Sequence, residues 1–405
     1  MTRARDVANV LSTATALATD TETAAAISSH NSVTTSVHGI SNTATLATQT
    51  YSDSAVSTHA AAADPHTVYL KESEYWAAGK NKIINGDFNI WQRGTSFSPA
   101  SSVGVYLADR FNCYVEGSGA TRTISQQTFT TGSAPVSGYE GRFFLRYAQS
   151  VGPSAGIGNN LLRQFIESVR TFAGQTVTFS FWAKASSSMT VELIDLIQDM
   201  GLGGSPSSNT QTVLATNVSI GTSWTRYTYT ATLPSLSGKT LGTSGNDNLA
   251  IRLNMPTGSG ATFTFDTWGW QLEAGSTATT FTTATGNPAL ELAACQRYYW
   301  RQVSGTNFGL VCTSGIMEST TGGYFVVQLP VPMRVAPTSI DTSNLRITDL
   351  HTTNSPASSF TLSDKNELFV VVRANASGLT VNRPAWLTGY NSGTSYLGLS
   401  AELVI

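Results

Sequence analysis

The sequence is short of charge. Asp, Glu, Lys and Arg make up 12% of its 405 residues, about half the share that is usual in soluble proteins. The 23 basic and 25 acidic residues leave a net charge of −2. Nucleic acids and anionic membranes are bound through an excess of Lys and Arg. We therefore expect neither nucleic acid nor a membrane as partner.

Cysteine and long apolar runs are scarce as well. The chain has three Cys, at Cys113, Cys295 and Cys312, an odd number without the spacing of a metal site. This pattern predicts a chain made in a reducing cytosol and argues against a disulfide framework. No apolar run approaches the length of about 20 residues that spans a membrane. The first residues carry Arg3 and Arg5 but no apolar segment, so we expect no signal peptide.

Thr, Ser and Gly take the place of charge, and this composition favours strands and turns. From about residue 82 the chain alternates between apolar and polar residues. In "TVTFSFWAKA", Val177, Phe179 and Phe181 fall on one face of a strand. Polar, Gly-rich turns such as "MPTGSG" separate such runs. The pattern predicts a mainly β protein, with an antiparallel β-sandwich over residues 79–286 and a second small β domain over 287–405.

Three shorter segments receive individual predictions. "NNLLRQFIESV" (Asn159–Val169) favours one short helix, and "ALELAACQRYYWR" (Ala289–Arg301) favours a connector helix that runs into a strand. "INGDFNIWQRGTSF" (Ile84–Phe97) is predicted to begin the sandwich, with Asn85-Gly86 as the turn into its first strand. The residues that begin the core in that strand are Phe88, Ile90 and Trp91.

Residues 1–78 have too few large apolar groups to fold alone. From Val7 to about Ala26 a narrow stripe, mostly of Ala, recurs at helical spacing. A single helix of this kind would fray in water, whereas small residues suit close packing against copies of the same helix. The segment therefore predicts a helical or extended homo-oligomeric stalk. A disordered N-terminal arm is the alternative.

The stalk also contains a loose repeat. "ISSHNSVTTSVHGI" aligns with "VSTHAAAADPHTVYL" at an offset of about 29 residues, a spacing found in repeat arrays. Four of the five His fall in it, at His30, His38, His59 and His66. Around a three-fold axis such residues could bind a metal. Capping of backbone groups and fixing of register between chains is the interpretation that we favour.

The sequence shows no arrangement of residues that is typical of a catalytic site. "SGKT" (Ser237–Thr240) lacks the first Gly of a phosphate-binding loop, and His351 in "DLHTTNS" is predicted to lie in a surface loop. Cleavage of a glycoside would need two carboxylates across a cleft. The acidic residues available in the β region are Glu167, Glu192, Asp195, Asp199, Asp266 and Glu273. We expect no catalytic residues, no cofactor and no metal, and hence a protein that is not an enzyme.

A sugar-binding site needs fewer specialised residues than a site that cleaves sugars. Aromatic rings stack on sugar faces, with a few polar groups beside them. "NRPAWLTGYNSGTSYLG" (Asn382–Gly398) gathers such residues in a stretch rich in Gly and Ser. The candidate receptor-binding residues are Arg383, Trp386, Tyr390, Asn391 and Tyr396. The alternative is that Trp386 and Tyr396 are core residues of a small domain.

Several motifs occur together in a fixed order. They are "NKIINGDFNIWQRGTSF", "LADRF", "GQTVTFSFWAKA", "QDMGLGGSPS", "LPSLSGKTLGTSG", "WQLEAGSTATTF" and "LAACQRYYWR". The set resembles a module of bacteriophage tail fibres and other virion adhesins, over roughly Lys82–Arg301. "TTSVHGI" and "DPHTVYL" resemble stalk repeats of such fibres, and "INGDF" resembles the first strand of carbohydrate-binding jelly rolls.

This resemblance implies a virion tail fibre. Such a protein is made in the cytoplasm of the host, becomes part of the phage tail and acts as a homotrimer. Its N-terminus attaches to tail or baseplate proteins, and its β-rich head binds a glycan of the host surface without cleaving it. Two alternatives stay open, which are a tailspike-type depolymerase that cleaves surface polysaccharide and a structural tail connector.

Overall fold

The computed structural model describes residues 20–32, 49–61, 79–100, 102–136, 139–349 and 351–403. The chain divides into two compact units, Met1–Glu72 and Ser73–Ile405. Within the described ranges no helix is both long and apolar enough to cross a membrane.

The first unit contains two helices of 13 residues, α1 (Asp20–Ser32) and α2 (Gln49–Ala61). Their first residues have the spacing of the predicted repeat, and His30 and His59 hold the same place in each. The side chains of residues 21–32 and 52–61 are all exposed, Ile27 and Val56 among them. Helices this short are marginal in water unless they pack against something. The trimeric stalk stays a prediction, and His38 and His66 lie outside the described residues.

The second unit begins with two six-stranded sheets. In spatial order, sheet 1 consists of β1 (Ser96–Phe97), β4 (Thr121–Thr128), β5 (Phe143–Val151), β12 (Phe263–Ala274), β7 (Thr176–Ala185) and β10 (Thr225–Thr232). Sheet 2 consists of β2 (Val105–Tyr106), β3 (Phe111–Val115), β6 (Asn160–Glu167), β11 (Asn248–Asn254), β8 (Met189–Asp199) and β9 (Thr210–Ile220). Inward side chains of both sheets form one hydrophobic cluster.

A helix and two further sheets follow. The helix α3 (Pro288–Gln296) begins at the Asn287 cap, whose side chain accepts the backbone N–H groups of Ala289 and Leu290. Sheet 3 consists of β13 (Tyr299–Val303), β22 (Tyr396–Ser400) and β16 (Ser339–Ser343). Sheet 4 consists of β18 (Asn354–Pro356), β17 (Leu345–Thr348), β21 (Pro384–Gly389), β14 (Leu310–Ser319), β15 (Gly322–Gln328), β20 (Phe369–Asn375) and β19 (Ser359–Lys365).

The strand pairs described for the four sheets are all antiparallel. The prediction of a mainly β protein is therefore confirmed. Sheets 3 and 4 share a hydrophobic cluster of their own. The predicted boundaries after residues 78 and 286 stay predictions.

Tryptophan dominates the core between sheets 1 and 2. Trp268 and Trp270 are fully buried, and the ring of Trp270 lies edge-on to Phe111 at a centroid distance of 5.2 Å. Gly269 between the two has a φ of +66°, at a point where the register of β12 with β7 shifts. A Cβ atom there would lie 2.7 Å from the Trp182 ring. The position therefore requires glycine, for its conformation and for its size.

The helix predicted at Asn159–Val169 is wrong, because this segment forms strand β6. Leu162 and Ile166 point into the core, while Phe165 on the other face is buried as well. A strand buried on both faces carries apolar residues at spacings that a helix would also show. The connector helix predicted at Ala289–Arg301 is confirmed, since α3 leads into β13.

The strand predicted directly after Asn85-Gly86 is also wrong, because the first strand is β1 and residues 88–95 are irregular. Asn85 has a φ of +59°, and its side-chain oxygen accepts the N–H of Ile90 at 2.9 Å. The carbonyl of Gly86 accepts the N–H of Trp270 at 3.0 Å. Phe88 is fully buried, whereas Ile90 and Trp91 are only partly so. Side-chain hydrogen bonds thus replace a strand ladder here.

A buried ion pair joins sheet 2 to the end of the described chain. Arg110, next to β3, pairs with Glu402, which also receives Arg93 at 3.2 Å. The Arg110 guanidinium lies 3.4 Å from the centroid of the Tyr298 ring. The hydroxyl of Tyr106 donates to the carbonyl of Leu403 at 2.8 Å. These contacts fix the segment after β22 against the sandwich.

Candidate functional site

A groove runs along the outer face of sheet 2. Because side chains alternate along a strand, β3, β6 and β11 send one set of residues into the core and another outward. The groove has a volume of about 610 Å³. Its wall on sheet 2 includes Tyr106, Asn112, Tyr114, Arg163 and Phe165, and its other wall includes Thr338, Ser339, Ser400, Glu402 and Leu403. A further cavity of about 120 Å³ shares Arg163 and Phe165 and extends to Ile197 and Arg252.

A polar row crosses the floor of these cavities. The strand register places Asn112 opposite Arg163, Arg163 opposite Arg252, and Arg252 opposite Asp195. Nε of Arg163 donates to the side-chain oxygen of Asn112 at 3.0 Å. Arg252 forms a bidentate ion pair with Asp195, in which Nε lies 2.9 Å from Oδ1. Gln211 donates to the same carboxylate. The polar groups of the floor are thus fixed in place.

Aromatic rings flank this row. The guanidinium of Arg163 lies 5.2 Å from the centroid of the Tyr114 ring and 4.7 Å from that of Phe165. Burial lowers the pKa of Arg163, and the nearby charge of Arg252 lowers it further, although Tyr106 opposes the change. Arginine remains charged under such conditions. Because Phe165 is buried, the groove offers the partly exposed ring of Tyr114 beside the positive charge of Arg163.

The segment after β22 covers part of this face. Leu403 packs in one small cluster with Phe165 and Ala250, and Tyr106 lies against it. Glu402 contributes to the wall but is already engaged by Arg110 and Arg93. The groove is therefore closed on the side of the C-terminal sheets and lined there by small hydroxyl residues.

A second concave site is smaller and more apolar. It has a volume of about 220 Å³, and its lining includes Asp87, Tyr139, Phe281 and Glu291. Oδ2 of Asp87 accepts the hydroxyl of Tyr139 at 2.8 Å, while its buried Oδ1 has no hydrogen-bond partner among the described residues. Burial raises the pKa of Asp87, and the charge of Glu291 adds to the effect. Glu291 itself accepts the N–H of Asn85 at 2.6 Å.

Of the predicted receptor residues, one lies on sheet 4 and another directly precedes it. Trp386 is on β21, opposite Thr348, and points away from the core that Ala385 and Leu387 enter. Arg383 precedes β21, and its Nη1 donates to Oδ2 of Asp349 at 2.7 Å. Burial opposes ionisation of Asp349, but hydrogen bonds from the backbone N–H groups of residues 353 and 351 and from Arg383 hold its pKa below the usual range.

The other three predicted residues lie elsewhere. Tyr390 and Asn391 follow the far end of β21, where both are exposed and Asn391 has a φ of +52°. Tyr396 begins β22 of sheet 3, and the guanidinium of Arg301 lies 3.6 Å from the centroid of its ring. The five predicted residues therefore do not meet in one place, and none of them lines the cavities described above. Their role in receptor binding stays a prediction.

Sequence reasoning missed Tyr114 in the groove, Arg163 and Phe165 in both cavities, and Arg252 in the smaller one. The signal that could have found two of them is the alternation of "NLLRQFIE", in which Arg163 and Phe165 share one face of a strand. The helix prediction for this segment hid that face.

The six acidic residues considered for catalysis are all engaged within the fold. Their contacts are Glu167 with Arg297 and Tyr298, Glu192 with Thr257, Asp195 with Arg252, Asp199 with Gly201, Asp266 with Arg146, and Glu273 with Thr279 and Lys80. Throughout the described part of the chain, no three His, Cys, Asp or Glu residues are grouped so that they could hold a metal ion.

Comparisons with known proteins leave the family open, since no family model and no curated protein matches the chain. Among solved structures, the enzymatically active domain of bacteriophage CBA120 tailspike protein 4 is 12% identical, with a TM-score of 0.28 over 49% of this chain and 22% of that one. The CBM22-2 xylan-binding domain of Paenibacillus barcinonensis Xyn10C is 14% identical, with a TM-score of 0.26 over 47% and 96%. A Stig cyclase, Fisc from Fischerella sp. TAU, is 16% identical, with a TM-score of 0.29 over 50% and 100%.

This chain therefore spans 22% of the length of the tailspike domain. Similarity at these levels assigns neither a fold nor an activity to the chain.

Proposed function

We propose that this protein is a phage tail fibre whose groove on sheet 2 binds a glycan of the host cell surface without cleaving it. The observation that carries the proposal is the groove itself. It offers the ring of Tyr114 beside the polar groups of Asn112 and Arg163, and the polar row continues to Arg252 in the smaller cavity that shares Arg163. Glycan sites need ring faces for stacking and fixed polar groups for orientation.

The N-terminal unit supports a fibre that works as a homotrimer. The helices α1 and α2 leave Ile27 56% and Val56 67% exposed, and short helices gain stability when such residues pack against partner chains. In this proposal the N-terminus attaches to tail or baseplate proteins of the virion, and three heads bind together. Linked copies turn weak single contacts into firm attachment.

The proposal is tested by measuring the binding of host surface polysaccharide to the full-length protein. We expect Tyr114→Ala to weaken binding about tenfold, since the ring loses its stacking face. Tyr324→Ala, on sheet 4 away from the groove, is the matched control and should bind like wild type. If Trp386→Ala weakens binding while Tyr114→Ala does not, the receptor site is the predicted one at the tip. A structural connector would bind no glycan, and deletion of residues after 290 would prevent virion assembly.

One observation favours depolymerase activity as a second candidate. Asp87, a carboxyl whose pKa is raised, lines the same small cavity as the carboxylate of Glu291, and paired carboxyls in unlike environments are the machinery of glycosidases. Incubation of the protein with host polysaccharide followed by an assay of reducing ends separates the two functions. Sustained release of oligosaccharide, abolished in Asp87→Asn, would contradict non-enzymatic adhesion.

A further inference from the structure

Arg163 occupies the centre of the groove floor. It lies on the outward face of β6, and like Phe165 it lines both the 610 Å³ groove and the 120 Å³ cavity. Its Nε is held by Asn112 at 3.0 Å, and the rings of Tyr114 and Phe165 lie on its flanks. The guanidinium is therefore oriented by the protein at a position that lines the groove.

The charge of Arg163 is not compensated by the fold. Its neighbour Arg252 is paired with Asp195, and Arg93 and Arg110 share Glu402. Across the described ranges from residue 79 to 403, no carboxylate lies within ion-pair distance of Arg163. A half-buried charge without a partner is costly, and here the positive charge of Arg252 adds repulsion.

We propose that the groove selects an acidic sugar, whose carboxylate pairs with Arg163 while its ring packs against Tyr114. A guanidinium fork matches the two oxygens of a carboxylate, and the partly exposed ring of Tyr114 beside it suits a sugar ring. This inference rests on the proposed function, because it names the class of glycan that the same groove takes. A sulfate substituent would satisfy the same fork, so the test separates a carboxylate from a sulfate.

The experiment uses three probes with the full-length protein. They are a glucuronate-containing oligosaccharide, the same oligosaccharide after reduction of its carboxylates to alcohols, and a neutral oligosaccharide that carries one sulfate. We expect wild type to bind the glucuronate probe at least tenfold more tightly than its reduced form, with a preference that falls as salt rises. A sulfated probe that binds more tightly than the glucuronate probe would overturn the assignment of the carboxylate.

Three variants test whether Arg163 causes the preference for the acidic probe. Arg163→Gln should bind the acidic and the reduced probe equally, and Arg163→Lys should keep part of the preference as a point charge. Arg373→Gln, on sheet 4, is the matched control and should keep all of it. The inference is overturned if wild type does not prefer the acidic probe, or if Arg163→Gln retains the preference. The proposed function fails separately, when Tyr114→Ala leaves the binding of both probes unchanged. If Arg163→Gln does not fold, the inference is judged on the partial preference of Arg163→Lys for the acidic probe and on the salt dependence of the wild-type preference.

Discussion

Replacement of Glu402 by Gln should destabilise the second unit strongly. The carboxylate is 3% exposed and pairs with Arg110, which is 1% exposed, and with Arg93. Gln keeps the shape but removes the charge, so Arg110 stays buried with only a neutral partner. Removal of one member of a buried ion pair typically costs about 3–5 kcal/mol. We expect a loss near the lower limit, about 3 kcal/mol, because the amide oxygen still accepts a hydrogen bond.

The matched control is Glu318→Gln. Glu318 pairs with Arg373 at 3.4 Å, and the two side chains are 43% and 30% exposed. Exposed pairs contribute about 0–1 kcal/mol, so this variant should unfold almost like wild type. Urea unfolding followed by tryptophan fluorescence gives the free energy of unfolding for each variant. If Glu402→Gln lies within 1 kcal/mol of Glu318→Gln, the ion pair does not hold the segment after β22 in place.

A second variant tests the physical cause. In Arg110→Met combined with Glu402→Leu, no buried charge of this pair remains without its partner. Apolar replacement of a whole buried pair is often neutral or stabilising. The double variant should therefore recover at least half of the stability that Glu402→Gln loses. If the double variant loses as much stability as Glu402→Gln or more, the shape of the side chains at this contact matters more than their charge.

Three further predictions concern other parts of the chain. Gly86→Ala should lower the free energy of unfolding by about 3 kcal/mol through overpacking, because the new Cβ would lie 2.2 Å from the carbonyl oxygen of Trp270. The control is Gly245→Ala, where space is open but the backbone is left-handed, and urea unfolding should show a loss of about 1 kcal/mol. Asp87 stabilises the fold below its unfolded pKa of about 3.9 and loses this contribution as pH rises through its raised folded pKa. The Tm of Asp87→Asn relative to wild type should therefore rise between pH 4 and pH 8, and a constant difference would contradict the assignment. Removal of residues 1–78 should leave a soluble head that sediments as a monomer or a weak trimer, whereas an unchanged, stable trimer would exclude the stalk as the main oligomerisation element.

The sequence was most informative where one strand presents one clear pattern. The run "TVTFSFWAKA" predicts the strand that the structure has as β7, from Thr176 to Ala185. Prediction failed for β6, since Phe165 is buried by Leu403 and Ala250, residues from distant parts of the chain. It failed again after Asn85, because Gly86 is held by the backbone of Trp270. Local periodicity cannot reveal a partner that lies so far along the chain.

The same limit applies to the candidate site. The polar row exists because the register of three strands places Asn112, Arg163 and Arg252 side by side. Each of these residues is ordinary within its own segment, and only the pairing makes them neighbours. Aromatic residues crowded within a single stretch, such as Trp386 and Tyr396, are easier to notice. The structure separates those two residues between sheets 4 and 3.

The contact between the first segment of the sandwich and its last strand has a consequence for synthesis. The side-chain amide of Asn81 donates both to the carbonyl of Trp270 and to that of Thr282, 201 residues further along. The sandwich cannot close until both segments have left the ribosome. At about 5–20 residues per second, this interval lasts roughly 10–40 s. During that time the strands of the nascent sandwich expose edges that later strands will cover.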